Sequence, residues 1–146
     1  MKVKDILEKK PQDTVTAQPQ DSIIQTMETL ISKKISCLPV LGESGELVGI
    51  ISDKDIFELV YKKRAQFPDM KVADVMTSDL IVGLPEDDLS YIASIMTENR
   101  VRHIPIVNGQ KLIGLISQGD IVKGEMVKIR VENRYLKEYI NGNYPA

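Results

Sequence analysis

The sequence predicts an α+β fold, sandwich-like, built from two copies of one βαββα-like unit and a C-terminal helix. Three observations carry that expectation: an internal repeat, apolar runs that switch between helical and strand periods, and Pro and Gly residues punctuating both copies at matching places. Ser36-Cys37-Leu38-Pro39-Val40 aligns with Arg102-His103-Ile104-Pro105-Ile106, the prolines standing 66 residues apart, and Pro19 matches Pro85 at the same distance. Gly49-Ile50-Ile51-Ser52-Asp53-Lys54-Asp55 aligns with Gly114-Leu115-Ile116-Ser117-Gln118-Gly119-Asp120 at a distance of 65. The one-residue difference falls in a turn, Leu41 to Glu46 against Val107 to Lys111, where length changes are tolerated. Upstream, Val3-Lys4-Asp5-Ile6-Leu7 matches Val72-Ala73-Asp74-Val75-Met76 at 69, so the first copy carries three extra residues around Lys9-Lys10-Pro11.

Each copy opens with a brief apolar-alternating strand, Thr14 to Ala17 and Leu80 to Leu84, which its proline turns into a helix begun by Asp21 or Asp87. In the first helix Ile23, Ile24, Met27, Leu30 and Ile31 form one apolar stripe, repeated in the second by Leu89, Ile92, Ala93, Ile95 and Met96. Two hairpins follow, 37–41 with 47–51 and 103–107 with 112–116, and Asn108-Gly109 suits the centre of a two-residue type I′ turn. A helix closes each copy, Lys54 to about Gln66 and Asp120 to about Asn141, with Phe67-Pro68 ending the first. The chain thus divides into a first motif at 1–66, a second at 67–123 and a helical extension at 124–146.

A unit of about 60 residues buries only about 60% of its unfolded surface, so each copy gains by packing on its twin. With 19 basic and 21 acidic residues among 146, the net charge of −2 gives no general attraction to nucleic acid or an anionic membrane. Met1-Lys2-Val3-Lys4-Asp5 lacks the apolar region of a signal peptide, no apolar run is long enough to span a bilayer, and the expected location is cytoplasmic. The single cysteine, Cys37, permits no internal disulfide and fits a reducing compartment.

Together, Met76-Thr77, the strand–Pro–helix openings, the Leu38-Pro39-Val40 and Ile104-Pro105-Ile106 strands and the doubled Gly-x-x-Ser-x-x-Asp signature resemble the cystathionine-β-synthase (CBS) domain, over roughly residues 3–123. Two in tandem resemble the Bateman module. The resemblance implies that the copies pair their sheets about a pseudo-twofold axis and leave two clefts for adenosine-bearing ligands, most often AMP, ADP or ATP and sometimes S-adenosylmethionine. It also implies a homodimer assembled as a flat disc.

A nucleotide needs an acceptor for its ribose hydroxyls, donors for phosphate and an apolar slot for adenine. Asp55 and Asp120 suit the ribose, since a carboxylate accepts from both hydroxyls of a diol; each also stands where a helix cap belongs. Ser52 and Ser117 are candidates for phosphate beside a helix N-terminus, or for capping. Lys54 supplies charge in the first copy, where the second has Gly119, and Arg102 and His103 stand where the first has Ser36 and Cys37. His103 is either a ligand contact or a structural histidine, and Cys37 reads as a small buried hydrophobe rather than a reactive thiol. The resemblance sets the backbones of Cys37-Leu38-Pro39 and His103-Ile104-Pro105 along the adenine, with Thr16-Ala17 and Val82-Gly83 as the other wall. Val82 departs from the family's hydroxyl, which Thr16 keeps.

One histidine and one cysteine are too few for a triad or a histidine-built zinc site, and neither phosphate-binding glycine motif is present, so no enzyme and no cofactor are expected. Glu86-Asp87-Asp88 could hold a divalent cation, although acidic residues at a helix start ordinarily complement its dipole. In the extension Val122, Met126, Ile129, Leu136 and Ile140, with Asn133 filling the gap, approach a heptad seam, read either as a dimer contact or as a helix packed on its own domain. The expected role is therefore a regulatory sensor that binds an adenine nucleotide and signals to an effector protein. The alternatives are a ligand-free dimeric scaffold, or a module for S-adenosylmethionine or a divalent cation.

Overall fold

The computed structural model describes residues 1–10 and 13–142; Pro11 in the three-residue excess, and 143–146 of the expected extension, lie outside the described residues. Helix α1 (Val3–Lys9) comes first, and the first copy continues with α2 (Ile23–Lys33), β1 (Cys37–Leu41), β2 (Leu47–Ser52) and α3 (Asp53–Lys62). Two 3₁₀ turns, Phe67–Asp69 and Val72–Asp74, lead into α4 (Leu89–Asn99), β3 (His103–Asn108), β4 (Lys111–Ser117) and α5 (Gln118–Ile140). Both hairpins are antiparallel, with Leu38 opposite Ile51 and Ile104 opposite Ile116. The expected opening strands, Thr14 to Ala17 and Leu80 to Leu84, do not form as strands: each segment contributes only one isolated parallel bridge beside its hairpin, Ala17 to Val40 and Gly83 to Ile106. The hairpins touch at their tips, where Leu47 N–H donates to the Gln110 carbonyl at 3.0 Å.

The two copies exchange their leading segments. Val3 and Ile6 of α1 are buried with Leu89, Ile92, Met96, Ile104, Ile106 and Ile116 of the second copy. Conversely Val72, followed by half-buried Val75 and Met76, packs with Ile23, Leu38, Val40 and Ile51 of the first. The backbone repeats the exchange: Val3 N–H and Lys4 N–H donate to the carbonyls of Asp87 and Pro85, as Val72 N–H and Ala73 N–H donate to those of Asp21 and Pro19. Each core is thus completed by chain from the other half of the sequence, which ties two marginal units into one folded body.

Local chemistry shifts several boundaries. The caps are Ser22, whose hydroxyl accepts from Gln25 N–H, and Asp88, rather than Asp21 and Asp87. Asp21 and Asp87 instead close turns over the prolines, accepting from the backbone N–H of Gln18 and Leu84 at 2.9 and 2.8 Å. In the second hairpin Asn108 pairs with Lys111, so the central residues are Gly109 and Gln110 rather than Asn108-Gly109. Only Gly109 there has positive φ, at 64°, the pattern of a type II′ turn that wants Gly first. The closing helices start at Asp53 and Gln118, and the first ends at Lys62, short of Gln66. Helix α2 buries Ile23, Thr26 and Leu30, while Ile24 and Ile31 of the expected stripe are exposed.

Candidate functional site

The first turns of α3 and α5 are built alike. Ser52 and Ser117 are the caps, their hydroxyls accepting from Asp55 N–H at 3.2 Å and Asp120 N–H at 3.1 Å. Each aspartate answers with Oδ2 on the serine N–H at 2.9 Å, closing a reciprocal box that fixes where the carboxylate sits. One oxygen of each carboxylate therefore serves the helix. The capping role set out for these four residues is realised, and it leaves the remaining oxygen for other partners.

Between the copies lies a cavity of about 580 Å³. From the first copy it is lined by Thr14, Val15, Lys34, Ile35, Ser36 and Cys37, from the second by His103, Leu115 and Ser117, and from the segment joining α1 to the first copy by Lys10 and Asp13. Ser36 Oγ lies 3.4 Å from His103 Nε2 across the divide. A slot with apolar walls, hydroxyls, two lysines and a histidine matches what a phosphorylated nucleoside requires.

Cys37, His103 and Ser117 of the expected site line this cavity; Asp55 is not on its wall, and Asp120 lines instead a smaller cavity of about 270 Å³ with Lys10 and Lys123. Burial, followed by the charges of Asp55 and Asp53, pushes the Cys37 thiol up to about 12, so it is an inert hydrophobe as its sequence context suggested. Burial and then Arg102 hold the His103 imidazole below its ordinary value, leaving it neutral at pH 7. Burial opposes ionisation of Asp120, yet Lys10 and the Ser117 N–H together outweigh it and hold the carboxyl below the usual range. Lys10 Nζ stands 2.8 Å from Asp120 Oδ2.

Other expected residues lie elsewhere. Ala17, Leu38, Pro39, Ile104 and Pro105 are buried in the cores, and so is Gly83, rather than standing on the cavity wall. Their backbones are committed too, since Ala17 N–H donates to the Pro39 carbonyl and Gly83 N–H to the Pro105 carbonyl, each at 2.9 Å. Thr16, Lys54 and Val82 are exposed. Arg102 pairs across the copies with Asp53, Nη2 to Oδ1 at 3.1 Å. The acidic run makes no cation site: Asp87 caps its turn, Glu86 pairs with Lys4 and Asp88 with Lys2, and among the described residues no group of acidic, His or Cys side chains could hold a metal.

Sequence reasoning missed Lys10, Lys34, Val15, Ile35 and Ser36. Ile35 and Ser36 adjoin Cys37, and Lys34 ends α2 in the left-handed conformation that turns the chain into the cavity wall, at φ 56°. Lys10 had one signal, its place in the segment that only the first copy possesses.

Two intertwined hairpin-and-helix units around a shared cleft, each with a Ser-x-x-Asp helix start, define a tandem-repeat α+β module. The sequence pattern of the CBS domain matches residues 3–62 and again 72–126, and the chain belongs to that family. It is 31% identical over 128 residues to the mitochondrial CBS domain-containing protein CBSX3 of Arabidopsis thaliana, covering 85% of this chain but 62% of that protein, so it spans less than two thirds of that relative. The fold superposes on a CBS-domain protein of Agrobacterium tumefaciens with a TM-score of 0.81 and 32% identity, covering 86% of this chain and 99% of that one. It also superposes on CBSX2 in complex with AMP (TM-score 0.76, 28% identity, 88% and 98% covered). The CBS domain pair of protein MJ0100, in complex with 5′-methylthioadenosine and S-adenosylmethionine, gives a TM-score of 0.78 at 26% identity, with 88% and 98% covered.

Proposed function

We propose that this chain is a non-catalytic regulatory module that binds an adenine nucleotide, AMP, ADP or ATP, between its two copies and passes its state to an effector protein. The observation that carries the reading is the cavity into which both copies project, with Ser117 of one of the two identical Ser-x-x-Asp helix starts on its wall. The unengaged oxygen of Asp55 is the ribose acceptor in the first cleft, and Asp120 has that role in the second. Related CBS pairs hold AMP in one case and S-adenosylmethionine with 5′-methylthioadenosine in another, which supports an adenosine-bearing ligand. Calorimetric titration with AMP, ADP, ATP and S-adenosylmethionine, alongside an assay for ligand turnover, tests the reading.

The same reading includes a homodimer in the cytoplasm. Val122, Met126, Ile129, Leu136 and Ile140 of α5 are all exposed within one chain, which favours the intermolecular over the intramolecular version of the seam. A second apolar groove between α2 and α3, bordered by Ile31, Phe57 and Tyr61, is likewise uncovered, with Phe57 76% exposed. Faces of this kind mark association surfaces. A nucleotide then acts by favouring one arrangement of the dimer over another.

A further inference from the structure

The two clefts are unequal in one respect that the repeat makes measurable. In the first copy, the Ile50 carbonyl accepts from Thr77 N–H at 2.8 Å, and among the described residues Asp55 makes no ion pair. In the second copy, Leu115 stands where the first has Ile50, and its carbonyl instead accepts from Lys10 Nζ at 2.7 Å. The same ammonium reaches Asp120 Oδ2 at 2.8 Å, with the side chains only 32% and 13% exposed. Helix α1 runs on to Lys9, past the place where Thr77 forms its bridge in the other copy, and Lys10 takes over that donor's position.

From this pairing we propose that Lys10 makes the Asp120 cleft selective for phosphate-bearing nucleosides and against uncharged ones. The inference rests on the reading of Asp120 as a ribose acceptor. Lys10 Nζ and the Ser117 N–H both occupy Asp120 Oδ2, so a ribose diol meets Oδ1 of a carboxylate whose charge Lys10 already offsets, a weaker acceptor than the unpaired Asp55. A neutral nucleoside therefore loses acceptor strength and gives the half-buried ammonium nothing. A nucleotide supplies that ammonium with a second anion. Lys10 lines the large cavity with His103 and Ser117, and also a second cavity of about 270 Å³ that it shares with Asp120 and Lys123, so a phosphate can enter its reach without the lysine leaving the cleft. The first cleft, with no such cation on Asp55, lacks this filter.

The test uses the full chain carrying Asp55→Asn, which weakens the first cleft roughly tenfold or more so that the second saturates first, titrated calorimetrically with AMP and with adenosine. AMP is expected to bind at least tenfold more tightly than adenosine, and adding Lys10→Met to shrink that ratio by tenfold or more, AMP weakening while adenosine strengthens. Lys10→Gln, which keeps a donor for the Leu115 carbonyl without the charge, replaces Lys10→Met should the latter fail to fold, with the same expectation. An unchanged ratio in either variant overturns the proposal, as does equal binding of adenosine and AMP with Lys10 present. AMP binding abolished by Asp55→Asn alone also overturns it while leaving the nucleotide reading intact; absence of any binding to the unmodified chain overturns both.

Discussion

The side chain of Met76 lies over Gly49: a Cβ built at Gly49 would stand 2.6 Å from the Met76 sulfur. Leu7 lies over Gly114 in the same way, with 2.7 Å to its Cδ2. The paired glycines thus admit the segments that the two copies exchange.

Gly49→Val and Gly114→Val are therefore each expected to destabilise the fold by about 1–3 kcal/mol, the usual cost of overpacking a filled site. Urea unfolding checks this. An unchanged midpoint for both would mean that the leading segments are not docked across the copies.

Cys37 is expected to resist alkylation in the folded chain, because burial and the neighbouring aspartates keep the thiolate inaccessible and unfavourable. Iodoacetamide labelling read by mass spectrometry should show modification only after denaturant is added. Rapid labelling of the native protein would contradict the burial.

His103 gives a pH dependence with a definite sign. Its folded-state value lies below the ordinary 6.5, so on acidification the unfolded chain takes up this proton first. Stability is lost as pH falls through about 6.5 towards the lower folded value. Arg102 and Lys10 oppose protonation, and Asp53 and Asp120 favour it too weakly to prevail. His103→Gln is expected to reduce the fall in unfolding free energy between pH 7.5 and 5.5; equal slopes for the two proteins would remove His103 as its source.

Met126→Glu combined with Leu136→Glu should leave the fold intact and convert a dimer into a 16.4 kDa monomer in sedimentation at micromolar concentration, since both side chains are exposed on α5. A monomeric unmodified chain, or a dimer untouched by the substitutions, would remove α5 from the interface.

Much of the fold was legible because the repeat is encoded locally: proline-marked helix starts, hairpin runs and Ser-x-x-Asp boxes each depend on residues within a few positions of one another. The exchange of leading segments was not. Aligning Val3 with Val72 shows that the segments are equivalent, but not which core each completes, and that is decided by packing over Gly49 and Gly114. Turn placement failed for the same local reason at Asp21 and Asp87, where one acidic side chain could satisfy either a cap or a proline turn. Cys37 and His103, which line the cavity between the copies, were singled out because the repeat aligns them, whereas Lys10 has no counterpart to align with. Its role depends on a helix running a few residues longer than its equivalent.

The central claim meets its most direct test in calorimetric titration of the unmodified chain and of Asp55→Asn/Asp120→Asn, in which each amide oxygen can still accept from the capping serine N–H. The account expects saturable binding of at least one adenine nucleotide without turnover. Replacing both carboxylates should weaken it by about 1.5–3 kcal/mol per cleft, roughly tenfold or more in Kd. Flat titrations with AMP, ADP, ATP and S-adenosylmethionine, or undiminished affinity in the double variant, would contradict it.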